Sequence, residues 1–323
     1  MSLVDGLGRE HTYLRVSVTD RCNFRCVYCM PADGFESMPR DELLSYEEIA
    51  RLVRIFAGMG IKRVRLTGGE PLIRRDLELL VRELGQIPGI TDIAMTTNAH
   101  RLAACAEELA ASGLTRINVS LDSLDPERFS KLTRGGKLDK VLAGIDAAVA
   151  AGLTPVKINA VVLAGENEDE LFDLVEHFKG PEYVLRFIEY MPFEARWHSC
   201  VPTRELRKRL KERWDMEPLG DRLGDGPAVN WQLSNGARVG FISPLSEKFC
   251  STCNRLRLMA DGHLRTCLSD DGTPSLRDFL RSGSTDEQVE QAIRAMVLTK
   301  REGHSATEDG GTPFEGVMTR VGG

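Results

Sequence analysis

Six of the chain's eight cysteines fall into two tight groups: Cys22, Cys26, Cys29 and Cys250, Cys253, Cys267. Thiolates are the ligands of iron–sulfur clusters, and close spacing lets one loop wrap a cluster. Three is the informative number. A four-iron cluster held by three cysteines leaves one iron open to another ligand, a position that an electron carrier closes with a fourth cysteine. Structural zinc takes four ligands, commonly as two Cys-x2-Cys pairs, so the Cys-x3-Cys-x2-Cys of the first group suits it poorly. The second group, Cys-x2-Cys-x13-Cys, leaves zinc open, with His263 or Cys200 as a fourth ligand. Cys105 and Cys200 otherwise read as ordinary thiols.

Other residues could serve a ligand beside these thiols. Gly68-Gly69-Glu70 combines two glycines, which permit close backbone approach, with a carboxylate that can accept from an amine. Arg255 and Arg257 alternate with Leu256, so on a strand both guanidiniums share one face, a pairing suited to phosphate. Taken alone, the glycines are an ordinary tight turn and the arginines a solvated strand edge.

The elements that must position these residues are legible as a repeat. Strand-like runs at 13–18, 63–67, 90–97, 116–121, 155–163 and 184–189 alternate with helical periodicity after Ser45 and over 76–84, 102–112, 138–151 and 168–178. Ser45 and Glu48 form a capping-box signature. Such alternation predicts a parallel sheet with right-handed crossovers, and six units are too few for a complete eightfold barrel, so an incomplete (β/α)6 barrel is expected. The first cysteines follow strand one, and Gly68-Gly69 follows strand two. Thr96-Thr97-Asn98 closes strand three and Ser120-Leu121-Asp122 strand four, all at the carboxyl ends where ligands gather. The pattern changes after Arg213. Residues 217–228 read as a linker, Asn235-Gly236 turns one hairpin, Asp261-Gly262 turns a second that returns Cys267 toward Cys253, and a late helix spans 285–300. The expected division is therefore 1–216 for the partial barrel and 217–323 for a second, substrate-facing region.

Net charge is −6, which supplies no basic footprint for nucleic acid. No apolar run approaches a membrane span, the N-terminus lacks a signal pattern, and clustered cysteines suit a reducing compartment, so a cytoplasmic protein is expected.

Cys22-x3-Cys26-x2-Cys29, with Tyr28 before the last cysteine and Gly68-Gly69-Glu70-Pro71 after strand two, resembles the signature of the radical S-adenosylmethionine superfamily. Leu14-Arg15-Val16-Ser17, Arg186-Phe187-Ile188-Glu189-Tyr190-Met191, the second cysteine triplet with its arginines and the terminal Gly322-Gly323 narrow the resemblance to its GTP 3′,8-cyclase family, over nearly the full length. Ala99 departs from that family, which more often has glycine after Thr-Thr-Asn.

The resemblance implies a radical lyase of molybdenum-cofactor synthesis with two [4Fe–4S] clusters and S-adenosylmethionine. Cys22, Cys26 and Cys29 would hold the first cluster and Cys250, Cys253 and Cys267 the second. Tyr28, Gly69, Ser120 and Met191 would line S-adenosylmethionine. Arg15, Arg65, Thr96, Lys157, Arg255, Leu256 and Arg257 would meet GTP, with Arg15, Arg255 and Arg257 closest to the chemistry. The adenosyl radical would take hydrogen from the ribose 3′-carbon, the carbon radical would attack guanine carbon 8, and an electron and a proton would complete the ring. The resemblance also implies an electron donor such as flavodoxin or ferredoxin, a functional link to cyclic pyranopterin monophosphate synthase, a compatible homodimeric state, and a Gly322-Gly323 tail reaching the site. Two rivals stay open: a peptide-modifying radical enzyme with an auxiliary cluster, and a non-enzymatic electron carrier or metal-binding protein.

Overall fold

The computed structural model describes residues 2–193, 200–220, 226–270, 273–306 and 318. Alternating side chains build its sheet. In β1 (Tyr13–Ser17), Leu14 and Val16 are fully buried on one face, while Tyr13 and Arg15 are half-buried on the other. The same period of two continues through β2 (Arg63–Thr67), β3 (Asp92–Thr97), β4 (Arg116–Ser120), β5 (Val156–Val162) and β6 (Tyr183–Glu189). These six strands are parallel and neighbour one another in chain order, so each connection crosses over outside the sheet.

The crossovers carry the helices. α1 (Tyr46–Gly58) opens on the expected capping box of Ser45 and Glu48 and buries Ile49, Leu52, Val53 and Phe56. α2 (Leu77–Gly85) occupies the second crossover. The stretch expected as one helix over 102–112 divides into a 3-10 turn, Leu102–Ala104, and α3 (Ala106–Ala111). α4 (Pro126–Thr133) arises where the periodicity predicts nothing. Asp125 caps it by accepting from the Arg128 amide at 2.7 Å, and Pro126 takes the first helical position. α5 (Leu138–Ala150) and α6 (Leu171–His177) fall within their expected ranges, and α7 (Thr203–Lys211) is a further unforeseen helix after β6. The sheet's outer apolar face, including Leu66, Met95, Ile117 and Ile158, and the inner faces of these helices form one continuous core.

The later strands extend the same sheet at both edges. β7 (Met216–Pro218), β8 (Val229–Leu233) and β9 (Arg238–Ile242) form an antiparallel set, with β9 parallel to β6. β10 (Arg255–Leu258) lies parallel to β1, and β11 (Leu264–Arg265) returns antiparallel to it. The order is β11-β10-β1-β2-β3-β4-β5-β6-β9-β8-β7. α8 (Leu276–Arg281) and α9 (Asp286–Leu298) follow, and α9 packs beside α1, where Arg51 pairs with Asp286 at 2.8 Å. Among the described residues, no helix is long and apolar enough to cross a membrane.

Candidate active site

Strand register assembles the inner face of the barrel. Arg257, Arg15 and Arg65 stand side by side across β10, β1 and β2. Thr96, Asn118 and Lys157 form a second rung across β3, β4 and β5, and Ser120, Asn159, Arg186 and Gly240 a third across β4, β5, β6 and β9. Arg255 pairs with Tyr13 one step below Arg257. Six expected ligand contacts, Arg15, Arg65, Thr96, Lys157, Arg255 and Arg257, thus share one concave face. Leu256 does not. Its side chain is fully buried opposite, beside Leu14, so only its backbone faces this region.

The face is strongly electropositive. Burial, then repulsion from Arg186, Arg116 and Arg65, brings the Lys157 amine down to about 6. Arg186, 6 % exposed, falls to about 9 through burial and the neighbouring Arg65. Arg257 falls to about 10 through burial and Arg255, and Arg15 moves well below its ordinary value through burial and Arg257. Arg65 donates to the Tyr13 hydroxyl and to Thr96 Oγ1 at 3.4 Å. Arg116 is neutralised locally by Asp92, with Nε to Oδ1 at 2.9 Å. Arg186 Nε, Asn118 Oδ1 and Asn159 Oδ1 are buried with no hydrogen-bond partner. Buried polar atoms ordinarily find partners, so one orphan donor and two orphan acceptors beside concentrated positive charge suit a ligand that carries both anionic and hydrogen-bond-donating groups. The same face also holds Asn159, which the sequence places on strand five with Lys157, and Tyr13, Asn118 and Arg186, which the resemblance did not assign to a ligand. The signal was present, since each falls on the same parity as Arg15 or Lys157 once the register is known.

The first cysteine loop leaves the carboxyl end of β1. The Cys29 amide donates to the Cys26 carbonyl at 2.9 Å, and the Phe24 amide approaches Cys22 Sγ at 3.4 Å. Burial raises the Cys22 thiol to about 11 and pushes Cys26 up as well, with Cys29, Asp122 and Cys22 adding repulsion at Cys26. Half-buried thiols that resist ionisation suit a cationic iron core, which would hold them as thiolates. Tyr28 ties the loop to the end of β4 by donating to Asp122 Oδ2 at 2.7 Å. Gly68 and Gly69 run against the root of the loop, where the Gly69 amide donates to the Thr19 carbonyl and the Glu70 amide to the Arg21 carbonyl, both at 2.8 Å. Glu70 spends its oxygens on Leu72 and Asn98 amides and the Thr97 hydroxyl, at 3.0, 2.7 and 2.6 Å. This braces the ends of β2 and β3. Burial nonetheless lifts its carboxyl to about 7. Ala99, in the turn after β3, has φ 58, the left-handed conformation for which glycine is suited, at a cost of about 1–2 kcal/mol. Ser120 ends β4, and Met191, half-buried beyond β6, packs near Phe193 and Leu245.

The second triplet lies at the other end of the barrel. Cys250 and Cys253 precede β10, which is parallel to β1, and Cys267 follows β11, which runs back. All three therefore gather near the start of β1, whereas Cys22 follows its end, and the five residues between span roughly 16 Å. The hairpin returns Cys267 toward Cys253 as its turn signal predicts. Burial works to raise the Cys253 thiol, but the Arg255 and Lys300 charges beside it bring it to about 7. That electropositive surrounding fits a bound thiolate. Among the described residues, no three Cys, His, Asp or Glu side chains stand at the spacing of a single metal ion, and His263 pairs with Asp261 at 3.1 Å. Gly322-Gly323 lies outside the described residues.

Comparison with known proteins decides the family. Residues 16–178 match the radical SAM superfamily, and residues 183–306 match Molybdenum Cofactor Synthesis C. A GTP 3′,8-cyclase of Moorella thermoacetica is 44 % identical over 99 % of both chains. The chain belongs to the GTP 3′,8-cyclase family of radical SAM enzymes. A mitochondrial GTP 3′,8-cyclase of Arabidopsis thaliana is 41 % identical over 99 % of this chain and 83 % of its own. Among solved structures, Streptococcus suis SuiB bound to S-adenosylmethionine aligns with TM-score 0.59 and 16 % identity over 90 % of this chain and 68 % of its own, a likeness of fold. Radical SAM membership carries a [4Fe–4S] cluster and S-adenosylmethionine, and the three thiols at the end of β1 suit that cluster.

Proposed function

We propose that the chain cyclises GTP to (8S)-3′,8-cyclo-7,8-dihydroguanosine 5′-triphosphate, the opening step of molybdenum-cofactor synthesis. The observation that carries this reading is the electropositive face, which lies between two cysteine triplets at opposite ends of one barrel interior. Reductive cleavage of S-adenosylmethionine supplies the 5′-deoxyadenosyl radical. The protein's task is to hold nucleotide and cofactor in line and exclude water.

Tyr28, Gly69, Ser120 and Met191, which lie at the carboxyl ends of the strands as the first triplet does, are assigned to S-adenosylmethionine. Arg15, Arg65, Thr96, Lys157, Arg255, Arg257 and the Leu256 backbone are assigned to GTP, with Arg186 added from the register, because guanidiniums pair bidentately with phosphate. Cys250, Cys253 and Cys267 would hold a second [4Fe–4S] cluster, and three thiolate ligands would leave it able to take a further ligand from the base. Residues 217–323 then form the substrate-facing region and 1–216 the radical barrel. A one-electron donor of flavodoxin or ferredoxin type, delivery of product to cyclic pyranopterin monophosphate synthase, a homodimeric state and a cytoplasmic setting complete the proposal.

The test is anaerobic reconstitution with iron and sulfide, followed by reduction and addition of S-adenosylmethionine with GTP. Mass spectrometry should find both 5′-deoxyadenosine and cyclised nucleotide, and iron should reach about eight per chain. Deoxyadenosine without cyclised nucleotide would remove the substrate, and four irons would remove the second cluster.

Two further outcomes follow from the buried cations. Arg186→Met deletes a charge repelled by its neighbours, so the free chain should gain about 1–2 kcal/mol in denaturant unfolding. GTP affinity should fall at least about thirtyfold. Lower stability with unchanged affinity would place Arg186 outside the site. At Lys157 the sign runs with pH. Its amine, at about 6, is largely neutral at pH 8, and a bound triphosphate restores its proton. GTP binding at pH 8, above the phosphate's own ionisation near 6, should take up a proton and weaken as pH rises. Calorimetry in buffers of different ionisation enthalpy reads this, and Lys157→Met should abolish the uptake.

A further inference from the structure

The sequence segment after α9 closes over the second cysteine triplet. Lys300, 5 % exposed, donates to the Arg255 carbonyl at 2.8 Å and to Cys253 Sγ at 3.7 Å. Its backbone is held by the Lys300 amide, which donates to the Val297 carbonyl at 3.1 Å and continues the last turn of α9. Arg9 ties the following residues down. Its guanidinium donates to the carbonyls of Cys250, Glu302 and Arg301 at 2.8, 2.9 and 2.8 Å, and Asp5 fixes it from behind at 2.7 Å. Gly303 packs so closely that a Cβ there would stand 3.0 Å from Cys250 Sγ. The chain's beginning and its late segment thus clamp the triplet, and the clamp aims one buried ammonium at a ligand sulfur.

We propose that Lys300 is a positioning residue that sets the reduction potential of the cluster held by Cys250, Cys253 and Cys267. This rests on the assignment of a second cluster. Hydrogen bonds to thiolate sulfur and nearby fixed charge are among the levers that tune such potentials. One-electron reduction adds negative charge to the cluster and its sulfurs. A charge-assisted donor at Cys253 Sγ favours the reduced form and raises the potential. The bond to the Arg255 carbonyl matters as much, because it keeps the ammonium from swinging toward water. That carbonyl belongs to the residue whose side chain is assigned to GTP, so cluster and nucleotide share one anchoring point.

The experiment uses the full chain with Cys22, Cys26 and Cys29 replaced by alanine, reconstituted anaerobically so that the second site alone holds iron. Dithionite titration with mediators, followed by electron paramagnetic resonance, reads the midpoint. In this background Lys300→Met should shift the ratio of oxidised to reduced cluster at fixed potential about tenfold toward oxidised, a fall of about 59 mV for one electron. Lys300→Arg, which keeps a cation and its donors, should stay near the parent. Lys300→Gln keeps a neutral donor, should fall part of the way, and is the variant to read if the methionine protein sheds its iron. Equal midpoints in the parent and in whichever of the methionine and glutamine variants keeps its iron would overturn the proposal. A parent that binds no iron would instead overturn the second-cluster assignment, and the proposal with it.

Discussion

Gly69→Ala is expected to abolish S-adenosylmethionine cleavage, by at least about a hundredfold in 5′-deoxyadenosine formation, because a displacement of about 1 Å at a reacting centre costs that much. A Cβ at position 69 would lie 1.8 Å from the Arg21 carbonyl oxygen and 2.8 Å from that of Asp20. Both are backbone atoms, and neither can rotate away. Relief requires moving the segment 19–21 bodily, and Cys22, the next residue, moves with it. The two amide-to-carbonyl hydrogen bonds across this crossing, at 2.8 Å each, break in the same event. Cluster content and cofactor cleavage should therefore fall together. Gly58→Ala is the control. It lies in α1 with nothing within 4 Å of the added carbon, so it should keep full activity and gain about 0.5–1 kcal/mol. Iron analysis and product quantification distinguish the two, and near-normal cleavage by the Gly69 variant would mean that this crossing does not position the cofactor.

Cys253→Ala should have the opposite selectivity. The triplet it belongs to lies at the far end of β1 from the first, so cofactor cleavage should persist while cyclised nucleotide disappears. Two cations, the half-buried Arg255 and the buried Lys300, flank that thiol. Deleting the sulfur leaves them without the negative charge that offsets them, and a buried charge stripped of its partner costs about 3–5 kcal/mol. A lowered melting temperature should accompany the loss of product. Retained cyclisation would remove the second triplet from the reaction.

The six-strand barrel was legible because parallel strands covered by helices read as apolar alternation, and each crossover carries its own periodic helix. What escaped was long-range pairing. Alternation in Tyr13–Ser17 looks the same whether the polar face meets bulk water or the interior of a barrel, so Tyr13 and Arg186 could be read as solvated positions. The hairpin at Asp261-Gly262 was legible from its turn, but nothing local says that Arg255 will lie beside Tyr13. α4 escaped because it is short, although Asp125-Pro126 carried the signal of a helix start. The departure at Ala99 was visible as a residue type, and its left-handed backbone explains why glycine suits that place. Lys300 and Arg9 lie in no motif, and their roles follow only from which segments the fold brings together.

The position of β1 has a consequence for synthesis. It is the earliest of the sheet's strands in chain order, yet its second neighbour, β10, lies about 240 residues later. At ribosomal rates of about 5–20 residues per second, the open edge of β1 waits roughly ten to fifty seconds for its partner. β6 waits a shorter time for β9, some fifty residues on. The nascent barrel thus carries a bare strand edge, the element most prone to pairing with another chain, until β10 has been made. Truncation before β10 would make that transient state permanent.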